Sequence, residues 1–194
     1  MFDILRQHIE NITSSTLSEE EALIIKNAFV QKSLRRRQFL LHEGTICKYM
    51  AFVTRGALRI YSIDDKGNEH IVRFALEGWW ICDRESFSQL TPSQYNIDAI
   101  EDCDLLVSTN EQLNQMKQLS PTYMKFTSIL DERHYAATHR RIQAYISYTG
   151  EERLRDLMNT YPQFLLRLPQ NMIASYLGLT PETLSRVRKQ LMEK

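Results

Sequence analysis

The sequence predicts an α+β protein: an antiparallel β-roll with flanking helices, then a long helix, then a C-terminal helix-turn-helix. Three observations predict it. Gly44, Gly56, Gly67 and Gly78 separate short apolar runs at intervals of roughly a dozen residues, the spacing of an antiparallel roll or barrel. From Pro121 to Tyr148 apolar residues keep helical spacing with no second proline. Between Ile173 and Leu191 the helical pattern stops at Gly178 and restarts at Thr180 and Pro181.

Taken in order, Phe2, Leu5, Ile9 and Ile12 lie on one face of an opening helix. Ser18 and Glu21 form a capping box for a second helix expected to run from Ser18 to Val30. From Ser33 to Thr109 the texture becomes short strands at Phe39–Leu41, Met50–Val53, Ala57–Ile63, Glu69–Ala75, Trp79–Cys82, Tyr95–Ile100 and Leu105–Val107. These suit a β-roll, or double-stranded β-helix, of about eight strands. Asp64 to Asn68 reads as a hairpin turn, with Gly67 free to take positive φ and Asp side chains able to close on the backbone.

Thr109 and Gln112 form another capping box, opening a helix to Leu119. In the long helix that follows, Tyr123, Phe126, Leu130, Ala137 and Ala144 recur at helical steps, interrupted by Arg133 and Arg140. Such a seam suits pairing with a second copy of the chain. Thr149 and Glu152 cap a further helix that ends near Tyr161 and Pro162. The expected organisation is a roll domain over 1–120, a linker and dimerisation helix over 121–148, and a helix-turn-helix domain over 149–194.

In the last segment Pro169 opens a helix whose Ile173, Ala174 and Leu177 share a face, and Gly178 follows in the position of a left-handed C′ residue. Thr180 caps the second helix, Pro181 fits its first position, and Glu182 sits at the positive end of its dipole. Leu184, Val187 and Leu191 form the inward stripe, leaving Glu182, Ser185, Arg186, Lys189 and Glu193 toward solvent, with Thr183 and Arg188 on the flanks. A helix pair of this kind can lay its second helix in the major groove of DNA. A plain αα-corner is the competing reading. The small Ala174, the Gly turn, the capped second helix and the outward basic row favour DNA.

Composition narrows the function further. With 194 residues, 43% hydrophobic and 25% charged, the chain is an ordinary globular one. It has no basic leader followed by an apolar run, and no apolar stretch near the ~18 residues of a membrane span, so a cytoplasmic protein without a membrane partner is expected. Cys47, Cys82 and Cys103 are widely spaced, lack a CxxC pair, and fall short of the roughly four thiolates of an iron–sulfur cluster. A cupin-like metalloenzyme needs clustered His and carboxylate ligands, whereas the roll offers only His42 and His70. No cofactor and no catalysis are expected. Formal net charge is zero, yet residues 1–132 hold 14 Lys and Arg against 19 Asp and Glu, and residues 133–194 hold 10 against 5. The basic end suits a DNA partner.

The order of elements resembles the Crp/Fnr family of bacterial transcription regulators over nearly the whole chain. Ser33 to Gly78 is similar to the glycine spacing of that family's cyclic-nucleotide-binding domain, and Ile173 to Arg188 to its recognition motif. Where the family often has Arg-Glu-Thr-Val-x-Arg, this chain has Pro181-Glu182-Thr183-Leu184-Ser185-Arg186, so Glu182 and Arg186 carry over and the missing first arginine implies an altered operator. Wing strands normally follow the recognition helix in the family; here the sequence ends at Lys194, and Phe164 to Leu168 is expected to supply at most a remnant.

The resemblance also implies a phosphate-binding cassette in which Gly-Glu-x-Ala and a downstream Arg-x-Ala hold a cyclic nucleotide. In this chain Cys82 stands for the Gly, Asp83 for the Glu and Glu85 for the Ala, and Thr91 to Tyr95 contains no cation. A phosphate without a fixed cation is weakly held, so cyclic AMP is not the expected effector. Trp79, Trp80, Phe87 and Tyr95 read first as core; Trp80, Asp83, Arg84, Ser93 and Tyr95 are the candidate pocket for an unknown small molecule. No particular His or Cys argues for haem.

The expected function is therefore a homodimeric transcription regulator that inserts its second helix into successive major grooves. Its DNA-facing set is Gln170, Thr180, Glu182, Thr183, Ser185, Arg186, Arg188 and Lys189. Arg186 matches the O6 and N7 acceptors of guanine; Thr180, Thr183 and Ser185 suit backbone or bases, and Arg188 and Lys189 phosphates. The alternative is a ligand-binding or interaction protein of the same fold that no longer reads DNA, given Pro181 and the missing wing.

Overall fold

The computed structural model describes residues 1–192; the solvent position expected for Glu193 and the domain limit at Lys194 fall outside the described residues. The chain divides into two compact units, Met1–Ile63 with Val72–Glu132, and Asp64–Ile71 with the residues from Arg133 onward. The helix expected to stand alone as a linker over 121–148 is shared between these units.

The first unit contains α1 (Phe2–Thr13), α2 (Glu19–Asn27), β1 (Val30–Leu34), β2 (Phe39–Leu41), β3 (Met50–Arg55) and β4 (Leu58–Ile63). It continues with most of β5 (Glu69–Ala75), β6 (Trp80–Ile81), α3 (Arg84–Gln89), β7 (Asn96–Ala99), β8 (Cys103–Ser108) and α4 (Asn110–Leu119), and ends in the first part of α5 (Pro121–Ser147). Its strands form two four-stranded sheets, ordered β1-β8-β3-β6 and β2-β7-β4-β5. This is the expected roll of about eight strands, with β3, β4, β7 and β8 buried at most consecutive positions.

Register shows how the core is layered. Phe52 of β3 stands opposite both Trp80 and Leu106, so these three share one face. That face meets the helices: the Phe52 ring lies 5.1 Å from His8 of α1, and Trp80 lies 6.0 Å from Phe126 of α5. In the second sheet Leu58 pairs with Ala99 and Ile60 with Ile97, adding four small or branched apolar residues to the same core. Gly56, between β3 and β4, has φ of +94°, and a Cβ there would sit 2.5 Å from the Asp102 carbonyl oxygen. No other residue fits at that crossing.

Three expectations need correction. The second helix stops at Asn27 instead of reaching Val30; Ala28, Phe29 and Val30 keep apolar spacing without a stop signal, but Val30 opens an edge strand paired to β8. Phe164 to Leu168 is no strand remnant: it lies within and just after a short helix, α7 (Pro162–Arg167), started by its proline. Tyr123 and Phe126 do not face outward as the start of a dimer seam. Both are fully buried in the roll's core, and the exposed apolar residues of α5 are instead Met124, Tyr135, Ile142, Tyr145 and Ile146.

The second unit comprises the hairpin tip, the rest of α5, α6 (Gly150–Thr160), α7, α8 (Gln170–Leu177) and α9 (Pro181–Met192). Thr149 and Glu152 make the expected reciprocal box at the start of α6. Leu154, Leu157 and Phe164 from α6 and α7 pack with Ile173, Leu177 and Leu184 of the last two helices into a small closed core.

Candidate nucleic-acid interface

The two last helices are built by local chemistry. Gly178 adopts φ of +66°; its N–H donates to the Ser175 carbonyl at 3.0 Å and that of Leu179 to the Ala174 carbonyl at 2.9 Å, the paired bonds of a Schellman motif. Pro169 sits outside α8 as its N-cap, one position earlier than expected. Thr180 starts α9, its hydroxyl oxygen accepting from the Thr183 N–H at 3.2 Å while its carbonyl accepts from the Leu184 N–H at 2.9 Å. Glu182 lies beside these N–H groups, and hydrogen bonds from its own amide and from Thr180 hold its carboxyl below the ordinary value.

Burial separates the faces of α9. Leu184 and Val187 are 1% and 8% exposed, and Ala174 is fully buried beneath the helix crossing. Glu182, Ser185, Arg186, Arg188 and Lys189 are exposed, as are Thr180 and Gln170, while Thr183 is half-buried. All the residues singled out along α9 and its cap therefore share one short helix, with Gln170 at the start of α8. The outward face combines a planar guanidinium at Arg186 with an ammonium at Lys189 on the next turn.

Sequence reasoning missed what holds α8. The Arg153 Nη1 donates to the Leu177 carbonyl at 2.7 Å, and the Tyr145 hydroxyl donates to the Tyr176 carbonyl. A Cβ on Gly178 would come within 3.0 Å of the Tyr145 ring and 3.2 Å of the Arg153 guanidinium. These partners come from α5 and α6, and nothing in the local pattern of α8 points to them.

The five candidate pocket residues do not form one site. Asp83 caps α3, its carboxylate accepting from the N–H groups of Glu85 and Ser86 at 3.2 and 3.5 Å and from the Ser93 hydroxyl at 2.7 Å. The Tyr95 N–H donates to the same Ser93 oxygen at 3.0 Å. Asp83, Ser93 and Tyr95 are thus brought together, whereas Trp80 packs among Phe29, Phe52 and Phe126, and Arg84 points away to an exposed pair with Asp131 of α5. The Ser86 hydroxyl accepts from the Cys47 N–H at 2.9 Å, closing the same turn.

The buried cation of this region is Arg59. It stands opposite Asp98 in the β4/β7 register, donates to both carboxylate oxygens at 2.8 and 3.1 Å, and lies 4.0 Å over the Tyr61 ring. All three cysteines are free and buried; burial pushes the Cys82 thiol up to about 12 and that of Cys103 to about 11, which keeps both protonated and poor as metal ligands. Among the described residues no group of His, Cys, Asp and Glu is arranged to hold a metal, and no helix is long and apolar enough to cross a membrane.

Comparison with known proteins agrees with this architecture. Residues 31–119 match the family described as the cyclic nucleotide-binding domain. The transcriptional activator protein anr of Pseudomonas aeruginosa is 26% identical over 169 residues, covering 80% of this chain and 68% of its own. The fumarate and nitrate reduction regulatory protein of Yersinia pestis is 26% identical over 190 residues, covering 89% and 73%. Among solved structures, FixK2 from Bradyrhizobium japonicum superposes with a TM-score of 0.71 at 21% identity over 85% of each chain. The c-di-GMP responsive regulator CLP of Xanthomonas campestris gives 0.69 at 16% identity, covering 91% of this chain and 92% of its own.

Proposed function

We propose that the chain is a transcription regulator of the Crp/Fnr family, like the relatives it resembles, and that it reads DNA by laying α9 in the major groove as one half of a homodimer. The observation that carries the reading is the split of α9 into a packed stripe and a solvent-exposed outward face bearing Glu182, Ser185, Arg186 and Lys189. Arg186 contacts a base, with guanine as its geometric match; Arg188 and Lys189 contact phosphates. The relatives carry regulator names.

The partner is a second copy docked along α5. Its exposed Met124, Tyr135, Ile142 and Ile146 form an apolar side that water alone would leave uncovered, and a twofold partner would space two reading helices about one DNA turn apart. The roll is not a cyclic-nucleotide receptor in this reading. The backbone donors at the start of α3 already face the Asp83 carboxylate, which places negative charge where a phosphate would have to sit, and the buried Arg59 is neutralised by Asp98. Its effector, if it takes one, belongs to another chemical class.

Selection of bound duplexes from a random library by the purified full chain tests the proposal. A palindromic consensus with half-sites about ten base pairs apart is the expected result. Recovery of no consensus at low salt would sink it in favour of an interaction protein of the same fold.

A further inference from the structure

α8 has eight residues, too few for a helix to hold its own orientation, and its side of the helix-turn-helix is gripped by segments far away in sequence. The hydroxyl of Ser175 lies between two backbone groups of the hairpin tip. It accepts from the Ile71 N–H at 2.9 Å and donates to the Glu69 carbonyl at 2.9 Å, so one side chain satisfies the amide and the carbonyl that flank His70. The tip that offers these groups is itself fixed. The Asp64 carboxylate accepts from the N–H groups of Lys66 and Asn68 at 3.0 and 2.8 Å and from the Asn68 side chain at 3.0 Å, and it pairs with His70 at 3.0 Å.

Arg141 of α5 joins the same place from a third direction. Its Nη2 donates to the Ile71 carbonyl at 3.3 Å and to the Tyr176 carbonyl at 3.4 Å, while the guanidinium lies 4.2 Å over the Tyr176 ring and 5.3 Å from the centre of Tyr145. With Arg153 on the Leu177 carbonyl, two guanidinium groups face the negative end of the α8 dipole. The last carbonyls of α8 are thereby assigned to α5 and α6, and its middle turn to the hairpin tip.

We infer that Ser175, Arg141 and the Glu69–Ile71 backbone form a positioning clasp that sets the angle of α8, and through the rigid Gly178 turn the angle of α9, against α5, which carries these two helices as a helix-turn-helix head. The inference rests on the reading that α9 enters DNA. The outward face of α9 stays exposed while the clasp is closed, so the clasp presents the reading face rather than covering it. Ordering the head before DNA arrives removes a cost that a loosely held head would meet on binding. That saving counts for a register-dependent site and hardly at all for non-specific binding, which rests on phosphate charge.

The test compares wild type, Ser175→Ala, Ser175→Thr and Arg141→Lys in the full chain, using fluorescence anisotropy on a library-selected duplex and on a scrambled duplex of equal length. Ser175→Ala is expected to weaken the selected duplex about threefold to tenfold, the worth of one or two lost hydrogen bonds, while affinity for the scrambled duplex and its salt slope stay within about twofold. Ser175→Thr keeps the hydroxyl and restores discrimination. Arg141→Lys keeps charge, loses the fork, and repeats the Ala result. Equal weakening of both duplexes, tighter binding by Ser175→Ala, or failure of Thr to restore discrimination overturns the clasp. If wild type itself does not discriminate the duplexes, the DNA-reading proposal fails and the clasp with it; discrimination untouched by Ser175→Ala and Arg141→Lys removes the clasp alone.

Discussion

The Glu21 carboxylate of α2 accepts the Ser120 hydroxyl at 2.6 Å, and through that contact a single side chain serves the starts of two helices. It also accepts from the Thr122 N–H at 3.1 Å, at the first turn of α5, and closes the capping box on the Ser18 N–H at 3.2 Å. Desolvation pushes its pKa up, but hydrogen bonds from Ser120, Thr122 and Ser18 outweigh that and leave it below the ordinary value. A carboxylate whose folded pKa is depressed contributes stability above its unfolded value, near 4.3, and loses it as pH falls through the folded one. Glu21→Ala is therefore expected to cost about 1–2 kcal/mol at pH 7, with the deficit shrinking toward pH 3. Urea midpoints at the two pH values check this; an unchanged deficit would rule out the carboxylate as its source.

The capping boxes were legible in the sequence because their partners lie three residues apart, as at Ser18 and Glu21, Thr109 and Gln112, and Thr149 and Glu152. The Gly178 turn and the inward stripe of α9 were legible for the same reason. Periodicity tells which side of a helix is apolar, not what covers it, and so the spacing of Tyr123 and Phe126 suits a dimer seam although the roll buries them. Arg59 with Asp98, and Ser175 with Ile71, are separated by 39 and 104 residues and leave no local mark. Of the candidate pocket, Asp83 and Ser93 could be found by resemblance, but the direction of Arg84 depends on a partner in α5.

Arg59 and Asp98 are 6% and 7% exposed, so removing one partner strands the other charge in the core. Arg59→Leu is expected to cost roughly 3–5 kcal/mol. Combining it with Asp98→Leu should recover much of that loss, because two apolar residues need no compensation there. Chemical denaturation of the single and double variants measures the coupling directly, and additive losses would contradict a paired charge.

Within α9, Arg186 and Lys189 should respond differently. Arg186→Ala is expected to cost on the order of 1–3 kcal/mol on the selected duplex and to relax preference at one base position. Lys189→Ala should weaken all duplexes alike and lower the salt slope by about 1. Binding selections repeated with each variant distinguish a base contact from a phosphate contact; identical profiles for the two would refute the assignment.

Two apolar residues of α5 separate dimerisation from folding. Ile146 is 79% exposed, whereas Phe126 is fully buried against the roll. Ile146→Glu should shift the chain toward monomer in sedimentation while leaving its unfolding midpoint nearly unchanged, since an uncovered side chain contributes little to the isolated fold. Phe126→Ala should do the reverse, costing about 3–5 kcal/mol of stability. A monomer shift from Phe126→Ala at temperatures where the protein remains folded would place the seam where the sequence first suggested it.

The roll's response to nucleotides follows from the charge already placed at α3. A ligand present at 100 times its dissociation constant stabilises the folded state by about 2.7 kcal/mol, which a thermal melt reads as several degrees. With Asp83 accepting from Ser93 and from the start of α3, and with Arg59 held by Asp98, cyclic AMP and cyclic GMP at millimolar concentration should leave the melting temperature and operator affinity unchanged. Asp83→Asn, which keeps an acceptor for Ser93 and removes the negative charge, should not create a response either, because the buried Arg59 stays paired with Asp98. A nucleotide-dependent rise in the wild-type melting temperature would show that the roll opens this turn to a phosphate, and the Asp83 carboxylate would then have to move away from Ser93 to admit it.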